Sequence, residues 1–173
     1  MNDFRARVEQ ILEDNNISRP PVPVERIASS LGLELRYAPL DADVSGAILR
    51  NGQEAVIGVN SFHHPNRQRF TIAHEIAHFL LHAGLDVHLD NDFRVNLRDE
   101  ESSLAVDSDE IEANGFAAEL LMPTGFVLKD IGDLTEIDDV AIQRLARRYK
   151  VSQQAMQIRL VNLGFLPPIG LDS

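Results

Sequence analysis

The sequence predicts an α+β fold, a small antiparallel sheet followed by helices, on three observations. Apolar residues recur at helical spacing near both ends of the chain. A single Asn-Gly reversal sits between two short apolar runs. The 173 residues, 44% of them hydrophobic, suffice to bury one core without covalent staples.

Along the chain, Phe4, Val8, Ile11 and Leu12 fall on one face of an amphipathic helix, and Arg19-Pro20-Pro21 ends the pattern. Pro23 opens a short helix with Val24, Ile27, Ala28 and Leu31 on one face and Gly32 as its C′ residue. Leu33–Tyr37 reads as a strand. Ala47–Arg50 and Glu54–Val59 flank Asn51-Gly52, a strong hairpin signal because the two central residues of the tight turn need φ > 0. A helix follows from about Pro65 to Leu81, with the proline tolerated in its first turn. From Asp86 to Ser108 the periodicity is lost and acidic residues crowd, which predicts a long solvated loop. A second strong helix is expected from about Asp109 to Met122, with Ser108 as N-cap and Pro123 as stop. Gly125–Ile131 predicts a short helix. Asp138–Lys150 and Ser152–Leu163 predict a closing pair, with Ser152 as N-cap and Gly164 as stop. The division drawn is a core over 1–133 and a C-terminal helix-turn-helix-like subdomain over 134–173, packed on it.

Composition excludes several chemistries. Without cysteine there are no disulfides, thiolate nucleophiles or Cys-held metals, so a transition metal must be held by His and carboxylate. The formal net charge of −11 opposes nucleic acid and anionic membrane over the surface as a whole. No apolar run approaches the roughly 20 residues that span a bilayer, and the charged N-terminal segment has no apolar signal region. A cytoplasmic protein with no membrane contact is the expectation.

The chemistry is concentrated in His74-Glu75-Ile76-Ala77-His78, an H-E-x-x-H motif inside a predicted helix. Residues four apart share a helix face, so His74 and His78 can present both imidazoles to one tetrahedral Zn²⁺. Zinc lowers the pKa of its water from 15.7 towards about 7, and Glu75 stands beside it to take the proton. A catalytic zinc needs a third protein ligand. The metzincin continuation requires Gly at 81 and His at 84; Leu81 and Gly84 exclude it. His82 and His88 are weaker candidates, because His82 drifts around the helix. The better source is the next helix, where Glu110 and Asn114 share a face and Glu112 points roughly opposite. Glu110 is the favoured ligand and Glu112 the alternative. Asn114 can accept a hydrogen bond from a ligating imidazole and fix its tautomer. Mn²⁺ would also suit such a His₂-carboxylate set.

Arg67-Gln68-Arg69-Phe70-Thr71-Ile72-Ala73, running into the motif and on to Leu80-Leu81-His82, resembles the ImmA/IrrE metallo-endopeptidases. So do Glu110-Ile111-Glu112-Ala113-Asn114 with Phe116–Pro123, and Val151-Ser152, Ala155-Met156 and Arg159-Leu160 near the C-terminus. The resemblance implies a compact, zincin-like zinc-peptidase core. Its metal ligands would be His74, His78 and the residue matching Glu110, and its catalytic base Glu75. It implies cleavage of a helix-turn-helix (XRE-type) repressor, relieving repression in a bacterial stress-response, mobile-element or toxin–antitoxin system. In a zincin-like arrangement the free edge of the strand Ala55–Val59 would lie along the cleft and accept a peptide as one more strand. Tyr37, His82, His88 and Arg69 are candidates for contacting the oxyanion or substrate.

One feature runs against the overall charge. From Val140 to Phe165 there is no acidic residue, while Arg144, Arg147, Arg148, Lys150 and Arg159 are present. With Gln153, Gln154 and Gln157 early in the last helix, this segment suggests contact with DNA or with an acidic partner. It supports an alternative function: a non-catalytic zinc-containing regulator that binds a repressor or DNA through its C-terminal helices.

Overall fold

The computed structural model describes residues 4–52, 54–82, 87–91, 100–132, 134 and 136–168. Helix α1 (Phe4–Asp14) and helix α2 (Val24–Ser30) come first, followed by strands β1 (Leu33–Ala38), β2 (Val44–Asn51) and β3 (Glu54–Asn60). Then come helix α3 (Pro65–Leu81), strand β4 (Val87–Asn91) and helices α4 (Glu100–Leu121), α5 (Thr124–Gly132), α6 (Asp139–Tyr149) and α7 (Gln153–Asn162).

The sheet is mixed and four-stranded among the described residues, in the order β1-β3-β2-β4. β2 pairs antiparallel with both β3 and β4, whereas β1 pairs parallel with β3, Leu33 opposite Ala55 and Tyr37 opposite Val59. The expectation of a purely antiparallel sheet is corrected here. So is the placing of Ala55–Val59 at a free edge: β3 is an interior strand with both sides paired, so no peptide can add to it. The hairpin also differs in detail. Asn51 is a paired strand residue, opposite Glu54, rather than one of two central turn residues, and it is Gly52 that takes φ +63°.

α3 is the central helix. It packs on β2 and β3 on one side and along α4 on the other. Its middle is therefore buried nearly all round, Ile72 and Ala73 through Ile76 and Ala77, rather than along one stripe. Full burial of Ile72 and Ile76 stabilises the fold by about 1.5–3 kcal/mol each. Close packing against the sheet depends on Gly46 of β2. A Cβ there would overlap the Thr71 methyl and sit 2.7 Å from the Gly58 carbonyl oxygen. α1 covers α4, with Phe4 edge-on to Phe116 at 6.0 Å between ring centroids.

The stretch 86–108 is not one loop. It contains β4, and α4 begins at Glu100 rather than Asp109, so Ser108 lies inside a helix and is not its N-cap. The first turns of α4 carry no apolar stripe for periodicity to detect. Their Glu, Leu and Ala residues are good helix formers, and acidic residues suit a helix N-terminus. Residues 92–99 lie outside the described residues. The C-terminal boundaries agree with the sequence reading. Asp138 and Ser152 cap α6 and α7 by accepting from the Ala141 and Ala155 amides, and Gly164 takes φ +83° past the end of α7.

α6 and α7 share the main core through Leu145, Tyr149, Met156 and Leu160. Two polar ties hold them. Tyr149 and Arg148 both donate to Asp130 of α5, at 2.9 and 2.7 Å. Arg159 of α7 is buried, donating to Glu119 of α4, to Thr124 Oγ1 at 3.0 Å and to the Met122 carbonyl at 3.1 Å.

Candidate metal centre

α3 supplies two of the three converging groups. Pro65 stands in its first turn, and the His64 side chain accepts from the Asn66 amide at 3.1 Å, fixing where the helix starts. At the other end Arg50 of β2 donates to the carbonyls of His78 and His82, at 2.9 and 3.2 Å. A cation there complements the negative end of the helix dipole. Between these anchors His74 and His78 are both buried, with ring centroids 4.6 Å apart and planes at 70°.

Glu110 reaches the same point from α4. Its two oxygens lie 3.2 Å from His74 Nε2 and 3.2 Å from His78 Nε2, and the two Nε2 atoms are 3.0 Å apart. Among the described residues, donor atoms of these three gather within 4.8 Å of one another. Metal–ligand distances of 2.0–2.1 Å give a tetrahedron edges of about 3.3 Å, so the spacing fits one small divalent cation. The tautomer fits too. His74 Nδ1–H donates to Asn114 Oδ1 at 3.0 Å, which leaves the Nε2 lone pair directed at the cluster. Glu112 is not part of the group.

Glu75 is fully buried at the β2 face of α3, its carboxylate beside Gly46, where a Cβ would lie 3.9 Å from Oε1. The cluster opens into a cleft of about 590 Å³. One wall is the upstream face of α3, Arg67, Phe70, Thr71 and His74; another is Met122 with Val151, Ser152 and Ala155; Ser45 of β2 completes it. Phe70 stacks beside His74 at 6.2 Å between centroids.

Several expected site residues lie elsewhere. Tyr37 sits on β1 at the far side of the sheet, its phenol pushed up by burial and by Glu25. Arg69 faces away from the cleft and donates to the Val22 carbonyl at 2.9 Å; burial holds its guanidinium below the usual value. His82 pairs with Asp109 at 3.4 Å and is not one of the cleft lining residues. The side chain of His88 lies outside the described residues. Of the five C-terminal cations, Arg159 is buried and tied to Glu119, and Arg148 is engaged by Asp130. Arg144, Arg147 and Lys150 remain exposed.

Arg67 was missed in favour of Arg69, although the helical repeat distinguishes them. Arg67 is seven residues before His74, almost in line with it, while Arg69 is five before and well around the helix. Arg67 does line the cleft, donating to Ser45 Oγ at 3.0 Å. Gly46 and Arg50 carried no such signal, because their roles arise only where β2 meets α3.

An H-E-x-x-H helix between a mixed sheet and a carboxylate-bearing helix, with three donors aimed at one point, makes this a metallopeptidase-like protein. Sequence comparison narrows the class: the chain belongs to the peptidase family described as the IrrE N-terminal-like domain, whose model matches residues 28–161. No curated protein matches its sequence. Among solved structures it is similar to a Mycobacterium tuberculosis transcriptional regulator. The TM-score is 0.61 and the identity 19%, over 92% of this chain and 47% of that one. At that identity the likeness is one of fold, and this chain spans about half the length of the regulator. No helix among the described residues is long and apolar enough to cross a membrane.

Proposed function

We propose that this protein is a zinc-dependent endopeptidase that cleaves a helix-turn-helix (XRE-type) transcriptional repressor at one site. The observation that carries the reading is the meeting of His74, His78 and Glu110 beside a buried Glu75, in a chain of this family. Zinc, or manganese, held by these three residues would supply Lewis acidity towards a carbonyl and make hydroxide available near neutral pH. The chain's own residues do the rest. Glu75 accepts a proton from the attacking water at its carboxylate and returns it to the leaving amine nitrogen. Asn114 holds His74 in the tautomer that keeps Nε2 a lone-pair donor. Arg67 and Ser45 give the cleft hydrogen-bonding groups towards a bound main chain.

The test is metal analysis, a search beside the gene for one that encodes a small helix-turn-helix repressor, and incubation with that protein. Roughly one zinc ion per chain is expected. A single new cut, mapped by mass spectrometry, should be absent in Glu75→Gln while that variant keeps its zinc. Cleavage that persists in Glu75→Gln rules the mechanism out.

A further inference from the structure

The metal cluster does not explain the composition of the cleft beside it. Its polar lining includes Arg67 paired with Ser45, together with Thr71, Asn114 and Ser152. Four apolar side chains also line it: Phe70 of α3, Met122 at the end of α4, Val151 in the α6–α7 turn and Ala155 in the first turn of α7. Met122 and Val151 are buried, while Phe70 and Ala155 are half-buried and open towards the cleft. Phe70 stacks directly on His74, so this wall begins next to a metal-ligating ring. A cleft of about 590 Å³ with a mostly apolar wall and a few convergent polar groups is built to take a side chain, not only a backbone.

Position decides which side chain. A carbonyl brought to the His74–His78–Glu110 cluster places the neighbouring side chain of the peptide against Phe70. The charged lining side chains, Arg67 and Glu110, are already engaged by Ser45 and by the two imidazoles. A small residue would leave the half-buried Phe70 and Ala155 facing water. The α7 end of the wall is held rigidly: Ser152 caps the helix through the Ala155 amide at 3.0 Å, and Arg159 ties α7 to Glu119 and to the Met122 carbonyl.

We infer that Phe70, Met122, Val151 and Ala155 form a specificity subsite for a large apolar residue flanking the scissile bond. The turn between the C-terminal helices is thus a substrate-reading wall of the cleft. The inference rests on the peptidase reading for its substrate class, and the experiment separates the two.

The measurement uses the full chain as the zinc-loaded Glu75→Gln variant and labelled polyalanine-based peptides with one central position carrying Leu, Phe, Ala or Asp. Fluorescence anisotropy gives their affinities. Leu and Phe peptides should bind at least about tenfold tighter than the Ala peptide, with Asp weakest. Ala155→Leu, in the same background, fills the subsite without touching the amide that Ser152 caps. It should reduce the Leu-to-Ala preference to about threefold or less, with zinc content and circular dichroism unchanged. Affinities that ignore the central residue, binding too weak to detect, or a preference that survives Ala155→Leu would each overturn the subsite. Cleavage of the same panel by wild type reports on the chemistry separately. No cleavage alongside the expected binding preference removes the peptidase and leaves the subsite, while indiscriminate cleavage does the reverse.

Discussion

Asn114→Ala should weaken zinc binding without unfolding the protein. In the folded chain the Asn114 carbonyl oxygen accepts from His74 Nδ1–H at 3.0 Å, one turn along α4 from Glu110. With Ala there, the metal-holding tautomer of a buried imidazole keeps an Nδ1–H with no acceptor at that place. The metal-free ring can relax by moving its proton to Nε2, so the cost falls mainly on the bound state. An orphaned buried donor costs about 1–3 kcal/mol, and removal of a ligand-orienting partner typically costs about 10–100-fold in metal affinity. The two ranges agree, since about 1.4 kcal/mol is tenfold. Competition with a chromophoric chelator measures the affinity, and circular dichroism with and without chelator checks the fold. Asn114→Asp, which offers a charged acceptor at the same place, should hold zinc at least as tightly as wild type. Zinc affinity within about twofold of wild type in Asn114→Ala would refute the orienting role, as would an equal loss in Asn114→Asp.

Two further outcomes follow from the packing around α7. Arg159→Leu strands Glu119, whose side chain is 9% exposed, with Thr124 as its remaining partner among the described residues, and should cost about 3 kcal/mol, near the low end for breaking a buried pair. Urea denaturation reads it directly, and a loss below about 1 kcal/mol would contradict the burial argument. Tyr149 is buried and donates to Asp130, and both effects, burial first, push its phenol far above the ordinary tyrosine value of about 10. The folded state therefore favours the protonated phenol. This contribution to stability is complete below the unfolded value and is lost as pH rises beyond it. In an alkaline titration followed by tyrosinate absorbance, Tyr37 should ionise in the folded protein, whereas Tyr149 should ionise only as circular dichroism reports unfolding. Both tyrosines ionising together with the fold intact would be the contrary result.

The two clustered imidazoles on α3 were legible because their relation is local. Four residues along a helix is one turn in any tertiary setting, so the motif placed His74 and His78 before any fold was known. The Glu110–Asn114 pairing was legible for the same reason. That Glu110 meets both imidazoles required the packing of α4 along α3. The error at Arg69 was avoidable, since the same repeat that joined His74 to His78 selects Arg67. Gly46, Arg50 and the buried Arg159–Glu119 pair were not accessible from the sequence, because each depends on a contact between segments far apart in the chain.

The sequence by itself determined the boundaries of α3, α6 and α7, the reversal after β2, and the two imidazoles of the cluster. Each of these is written in short-range spacing, capping side chains or a glycine's left-handed backbone. Only the tertiary structure decided that β1 runs parallel to β3 and seals it inside the sheet, that α4 begins two turns early, and that the α6–α7 turn closes the cleft. Strand partners and helix faces are chosen by which apolar surfaces and backbone groups find each other across the chain. Many pairings satisfy the same local pattern, and the packed core selects among them.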